Sequence, residues 1–408
     1  MPAPTREDAA DRDGDDPLAP FRDQFAIDGD TVYLDGNSLG RLPFATLGRI
    51  EDEVANHWGR TLIGGWDRWL TMPQTVGDLL GTTLLGARPG EVVVADSTTV
   101  NLYKLASAAL DARPEARVVV TDDQNFPTDR YVLQGLAAQR GLELRTFASD
   151  PVHGPDGDSL GAALRQGGDV ALVLLSHVAF KSGALADMAT LTWLAHEVGA
   201  LTLWDLSHAA GSVPVDLTGA GADLAAGCTY KYLNAGPGAP AFAYVRTELQ
   251  TRLRQPIWGW FGQRDQFEMG PAYDPAPGIV QHLVGSPPVL GMAAVEEGVR
   301  LLAAAGMDGL RHKSVALTSY AVELFDHWLA PIGFGLATPR DPARRGSHVS
   351  VSHPDARRLC QELIDAMGVV PDFRTPDVVR FGYAPLYTRF TDVWDGFDRL
   401  RALASGDG

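Results

Sequence analysis

The chain has 408 residues, 45% hydrophobic and 21% charged, an ordinary globular composition with apolar material for more than one core. Its 51 acidic residues outweigh 34 basic ones, giving a formal charge of −17. That balance argues against nucleic acid and anionic membrane as partners, since both reward clustered lysine and arginine.

Residues 1–20 are rich in Asp, Ala and Pro and are expected to form a disordered acidic tail. Ala45 to Leu62 and Pro73 to Leu85 carry helical patterning, the second with proline in its first turn. Strands and helices then alternate. Glu91 to Ala95, Arg117 to Thr121, Val170 to Leu175 and Leu201 to Trp204 read as strands. Thr99 to Leu110, Thr128 to Gln139 and Ala189 to Val198 read as the helices between them. Continuous Val/Leu runs imply strands buried on both faces, hence an α/β fold with a mostly parallel central sheet flanked by helices. After Pro288 the pattern changes to long helices, Gly291 to Ala305 and Ser314 to Leu329. The short strand His348 to Ser352 and helices Pro354 to Met367 and Phe390 to Ala404 follow. The expected organisation is a large domain over 21–288, with its N-terminal segment, and a smaller α+β domain over 289–408. No apolar run approaches a membrane span and no leader pattern opens the chain, so a cytoplasmic protein is expected. Two cysteines, Cys228 and Cys360, cannot make a disulfide framework and read as buried small hydrophobes.

Asp205 ends the apolar run Leu201 to Trp204, and Lys231 stands 26 residues later, beyond a second run, Leu224 to Cys228. An unpaired carboxylate at the end of a buried strand is costly, so Asp205 needs a cationic partner. A protonated pyridine nitrogen is such a partner, and Lys231 between Tyr230 and Tyr232 can bind an aldehyde. The pair is the pattern of an enzyme that holds pyridoxal phosphate. Ser97-Thr98-Thr99 stands between a strand and a helix, where hydroxyls and free N–H groups suit a phosphate; a plain helix cap has the same appearance. Phe126 opens another helix and offers an aromatic face, with Asp129 three residues on. His208 can hydrogen-bond Asp205 or the phosphate. Gly236-Pro237-Gly238 lacks the strand–GxGxxG–helix context of a dinucleotide site. The ten histidines lack paired ligand spacing, so no metal is expected.

Taken together, these residues resemble kynureninase, within the aminotransferase-like, fold-type-I pyridoxal-phosphate superfamily. The resemblance runs from about Tyr33 to the end. It is carried by Gly36-Asn37-Ser38-Leu39-Gly40, Ser97-Thr98-Thr99-Val100-Asn101, Asn125-Phe126-Pro127-Thr128-Asp129, the Asp205 and Lys231 segments, Gly259-Trp260-Phe261-Gly262, Gly285-Ser286-Pro287-Pro288 and Arg380 before Ala384-Pro385-Leu386-Tyr387. It implies hydrolysis of L-kynurenine to anthranilate and L-alanine: water adds to the γ-carbonyl and the Cβ–Cγ bond breaks. 3-Hydroxykynurenine remains open as a second substrate. The implied setting is tryptophan catabolism, the kynurenine pathway or NAD biosynthesis. By resemblance, Thr98, Thr99, Phe126, Asp129, Asp205, His208 and Tyr230 contact the cofactor and Lys231 carries it. Lys231, Tyr230 and Asp205 are the catalytic set. Trp260 and Ser286 reach the cofactor from the partner of a homodimer with shared sites. Ser38, Trp66 and Arg380 contact substrate, Arg380 through the α-carboxylate; its alternative is an ordinary salt bridge. The sequence departs from some family members in having Ser286 where they have Asn, no His in Gly64 to Trp69, and Gln263 after Gly262. Competing readings are a class-V aminotransferase, a desulfurase, which needs a mobile cysteine, and a cofactor-binding protein without turnover.

Overall fold

The computed structural model describes residues 3–27 and 29–406. After a short strand β1 (Val32–Tyr33), seven strands form the central sheet: β2 (Val92–Val94), β3 (Val118–Asp122), β4 (Glu143–Phe147), β5 (Val170–Ser176), β6 (Leu201–Asp205), β7 (Leu224–Gly227) and β8 (Phe242–Val245). Their order is β2-β8-β7-β6-β5-β3-β4, with β8 antiparallel to both neighbours and the run from β7 to β4 parallel. Side chains alternate across a strand, and this sheet buries both sets. Val92, Val94, Val118, Val120, Val173 and Leu175 enter one apolar cluster. Val93, Val119, Leu172 and Leu174 enter a second, on the other face. Burial on both sides is why these runs are continuously apolar instead of alternating.

The acidic N-terminal segment is a correction to the sequence reading. It forms helix α1 (Arg6–Gly14), with Thr5 and Asp8 in a capping box. Polar contacts hold it, which is why a shortage of large apolar groups misleads. Arg6 pairs with Asp395 at 2.7 Å. Asp13 accepts from the backbone N–H groups of Phe390 at 2.6 Å and Thr391 at 3.1 Å, capping a helix near the other end of the chain. Asp16 pairs with Lys313 at 2.5 Å, both buried. Helix α2 (Phe44–Asp52) runs into a π-helical turn at Glu53–Trp58, so the helix expected as far as Leu62 stops short. Then come α3 (Trp66–Trp69), α4 (Met72–Leu84), α5 (Thr98–Asp111), α6 (Pro127–Arg140), α7 (Gly157–Leu164) and α8 (Met188–Glu197).

Helices α9 (Val289–Ala305) and α10 (Met307–Leu324) lead into a four-stranded antiparallel sheet of order β12-β13-β10-β9. Its strands are β9 (Gly335–Leu336), β10 (His348–Ser352), β12 (Asp372–Arg374) and β13 (Val378–Gly382). Helices α11 (Ala356–Met367) and α12 (Phe390–Ser405) cover it, and β11 (Val369–Val370) pairs in parallel with β1. The packing shifts the expected domain boundaries. Met292, Val295, Val299 and Leu302 of α9 join the core on the large sheet, so the division falls near Gly306. Ala9, Val32 and Leu34 join the core of the small sheet while Leu18 and Phe25 join that of the large one, so the N-terminal segment packs on both. Among the described residues no helix is long and apolar enough to cross a membrane.

Candidate active site

The parallel strands end on one edge, and register aligns their last residues: Ser176 faces Asp205, and Asp205 faces Ala226. A cavity of about 690 Å³ opens there. Its walls include Thr98, Thr99, Phe126, Asp129, Asp205, His208, Tyr230, Lys231 and Ser286. Nine of the predicted residues thus meet in one place.

Lys231 Nζ lies 2.9 Å from His208 Nε2. An ammonium can only donate, so in that state Nε2 accepts and the imidazole proton sits on Nδ1. Burial, reinforced by the charge of Lys231, holds His208 well below the ordinary histidine range, which keeps the ring neutral. Its Nδ1 is buried without a partner. Asp205 is buried and accepts from the Ser207 N–H at 2.8 Å. Asp129 stands beside it, fully buried, and burial followed by the Asp205 charge pushes its carboxyl well above the usual range. Its Oδ2 has no partner. Two buried carboxyls with spare acceptors form a socket for a cationic ring nitrogen.

At the other end of the cavity α5 begins, capped by Ser97, with Thr98 and Thr99 in its first turn. Unpaired N–H groups and hydroxyls there form an anion site. Phe126 is held by its neighbours: Asn125 Oδ1 accepts from the Phe126 N–H at 2.8 Å and from Ser176 Oγ at 2.6 Å. The Phe126 ring centroid is 5.9 Å from Lys231 Nζ. Burial, then the neighbouring Cys228, raises the Tyr230 hydroxyl, so it stays protonated and can donate. Anion site, aromatic face, amine and acid socket fit pyridoxal phosphate from its phosphate to its ring nitrogen.

Arg380, Ser38 and Trp66 do not line this cavity. Arg380 is buried on β13 and already bound. Its Nε donates to Asp372 Oδ1 at 2.9 Å and Nη2 to the second oxygen of Asp372. Nη2 also donates to Ser38 Oγ at 2.9 Å, and Nη1 donates to the Phe180 carbonyl. Phe180 connects this cluster to the cavity, its ring lying edge-on to Phe126 at 5.2 Å. The loop that carries Ser38 fits only with glycine at Gly40, where a Cβ would lie 2.3 Å from the Lys231 carbonyl. Gly382 is constrained likewise, since a Cβ there would lie 1.7 Å from Asn37 Oδ1.

Trp66 and Trp260 sit together, 6.2 Å apart, with Phe261 5.9 Å from Trp66. Neither tryptophan lines the chain's own cavity. Ser286, expected from a partner subunit, lines the cavity of its own chain beside Pro288, and Pro287 and Pro288 lead straight into α9.

Sequence reasoning missed three residues. Asp372 lies directly across the hairpin from Arg380. An acid and an arginine facing each other over Thr375-Pro376-Asp377 is a signal the sequence holds. Asp35 is pushed up to about 7 by burial and then by Asp372. His348 is fully buried, 5.6 Å from the His208 ring, with both nitrogens unpartnered; nothing local in the sequence marks it. Both cysteines are buried, and burial raises the Cys228 thiol. Neither can be the mobile nucleophile of a desulfurase. Among the described residues no cluster of His, Cys, Asp and Glu could hold a metal.

Fold and site together define a fold-type-I pyridoxal-phosphate enzyme. The apo cysteine desulfurase of Thermococcus onnurineus NA1 superposes with a TM-score of 0.79 at 18% identity, over 100% of this chain and 99% of that one. A C-DES mutant with glycine covalently linked to its PLP cofactor gives 0.81 at 18% identity, over 93% and 98%. The family model for the kynureninase C-terminal domain matches residues 310–400. The kynureninase of Pseudomonas fluorescens is 48% identical over 97% of this chain and 94% of its own. That of Burkholderia pseudomallei (strain 1106a) is 46% identical over 98% and 95%. The chain belongs to the kynureninase family: it is a hydrolase of the C–C bond of kynurenine, with pyridoxal phosphate as cofactor.

Proposed function

We propose that Lys231 anchors the cofactor and, once the substrate amine has replaced it, moves the α-proton as general base. Bound at this site, pyridoxal phosphate supplies the electron sink for bond breaking at the substrate. Asp205, backed by Asp129, holds the positive ring nitrogen. Thr98, Thr99 and the start of α5 hold the phosphate, and Phe126 covers the ring. His208 keeps the free amine of Lys231 in place through its neutral Nε2. Tyr230 donates a proton or a hydrogen bond from its hydroxyl. Arg380, through Nη1, and the Ser38 hydroxyl take the α-carboxylate, the first by a charge-assisted hydrogen bond. Trp66, Trp260 and Phe261, which sit together in one chain, form the aryl slot, supplied to the cavity of the second chain of a homodimer. L-Kynurenine is the substrate in this reading, with 3-hydroxykynurenine as a slower alternative, in cytoplasmic tryptophan catabolism.

The observation that carries these assignments is the gathering of Lys231, His208, the Asp205–Asp129 pair and the α5 N-terminus around one cavity. The test is purified holoenzyme with L-kynurenine, followed by anthranilate fluorescence and alanine analysis in equal amounts. Transamination without anthranilate would replace this reading with an aminotransferase.

A further inference from the structure

Arg380 is fully buried, yet a substrate must reach it, so what holds its guanidinium decides how the carboxylate is met. Asp372 grips the side edge, accepting from Nε and Nη2 on its two oxygens. The same carboxylate accepts from Ser38 Oγ at 2.8 Å and pairs with Arg374 Nη2 at 2.6 Å. Ser38 therefore receives from Arg380 and gives to Asp372, closing a ring of three groups. The remaining edge, with Nη1, is turned towards the Phe180 carbonyl, on the side of Phe126 and Lys231. Arg374 Nε is buried without a partner. The charges are uneven as well. Burial would raise Asp372, but Arg380 draws it below its ordinary range, so it is ionised. Beside it, Asp35 is pushed up. Two arginines against one firmly ionised acid leave a positive charge for an incoming carboxylate.

We infer that Asp372 is a positioning residue for substrate recognition: by clamping the Nε–Nη2 edge of Arg380 it aims the Nη1 edge and the Ser38 hydroxyl at the substrate carboxylate. The inference rests on the assignment of Arg380 to that carboxylate. A guanidinium held on one edge cannot swing, and a carboxylate arriving at the other meets donors already in place. Ser38 needs only to turn its proton from Asp372 to the substrate.

The test uses holoenzyme and two ligands that differ in the carboxylate, L-alanine and ethylamine, titrated by the absorbance change of the bound cofactor. Asp372→Asn keeps the shape but gives up the charge and one acceptor. Its affinity for L-alanine should fall about tenfold or more, the scale of one lost charge-assisted hydrogen bond. Ethylamine binding should stay within about twofold, inside the usual scatter for a residue that does not touch the ligand. KM for kynurenine should rise while kcat stays within a few-fold. Asp372→Glu, which shifts the guanidinium without removing the charge, should lose less L-alanine affinity than Asp372→Asn. If Asp372→Asn does not fold, Asp372→Glu decides, and parental discrimination between the ligands in that variant overturns the inference. Equal or tighter L-alanine binding in Asp372→Asn overturns it too, since Asp372 would then be a bystander or a competitor. Arg380→Lys separates the two assignments. If it binds L-alanine as the parent does, the carboxylate role of Arg380 fails. If it loses L-alanine while Asp372→Asn does not, only the role of Asp372 fails.

Discussion

Among the described residues, Lys231 is the lysine on the cavity wall, while Lys104, on α5, is buried and tied to Asp96 at 2.5 Å. Lys231→Ala should fold, since it removes a partly exposed side chain, and should lose covalent cofactor. Borohydride reduction and peptide mapping of the parent should find the pyridoxyl group on Lys231; label on Lys104 or Lys181 would disprove the assignment. A second residue connects the site to pH. Asp122 ends β3 and is pushed up to about 6 by burial. Below its ordinary value of 3.8 the carboxyl is neutral both folded and unfolded. Between there and about 6 the unfolded chain has released the proton that the folded chain still holds, so the parent loses stability as pH rises. Asp122→Asn should therefore gain on the parent across that window, by on the order of 1–3 kcal/mol once complete. Urea unfolding at several pH values checks this, and a pH-independent difference would refute it. At this scale the sequence was most legible where chemistry follows a buried run, as at Asp205 and Lys231. It was least legible where partners meet across domains, as with Phe180 and Arg380, or where a residue such as His348 has a buried place and no local motif.

Strands were legible where a continuous apolar run is short, Val-rich and flanked by helical pattern, as in Val170–Ser176, while the equally buried Phe242–Val245 and Val378–Gly382 were not read. One error came from a segment held by polar contacts. In the N-terminal segment an acidic composition looked like solvated chain, yet its aspartates, Asp13 in α1 and Asp16 beyond it, serve as cap and ion-pair partner for helices far along the sequence. Such pairing is invisible locally, since Asp16 and Lys313 are nearly three hundred positions apart. Their burial gives a sharp expectation. Asp16→Ala leaves the Lys313 ammonium buried and unpaired, and burial already lowers that lysine. Loss of one partner of a buried pair costs about 3–5 kcal/mol. Denaturant unfolding at neutral pH should show a loss of that order in Asp16→Ala, recovered in large part by the double variant Asp16→Ala with Lys313→Met. A disordered tail would give no change in either.

The molecule as a whole leaves a large apolar surface uncovered. Trp58, Ile63, Trp258, Phe267 and Met269 are each more than half exposed, and Trp260 is 36% exposed. Trp260 and Phe267 are neighbours, ring centroids 6.1 Å apart, and exposed apolar patches mark interaction surfaces. The incomplete aryl slot points the same way, because Trp66 and Trp260 sit together yet outside the cavity of their own chain. A second copy would cover the surface and bring Trp260 to the neighbouring cavity, which is the expected homodimer with shared sites. Sedimentation should show a dimer at micromolar concentration. The stronger check is complementation. Lys231→Ala lacks the anchor in its own cavity, and Trp260→Ala lacks the wall it would lend to its neighbour. Trp260→Ala must first be shown to have lost most of its activity. In a mixed dimer the cavity that keeps Lys231 also receives an intact Trp260. Random re-association should then restore about a quarter of parental activity, half the dimers being mixed with one whole site in two. Trp260→Ala and Lys231→Ala in the same chain, mixed with inactive Lys231→Ala, should restore nothing. If the first mixture stays inactive although heterodimers form, Trp260 serves its own chain and the sites are not shared.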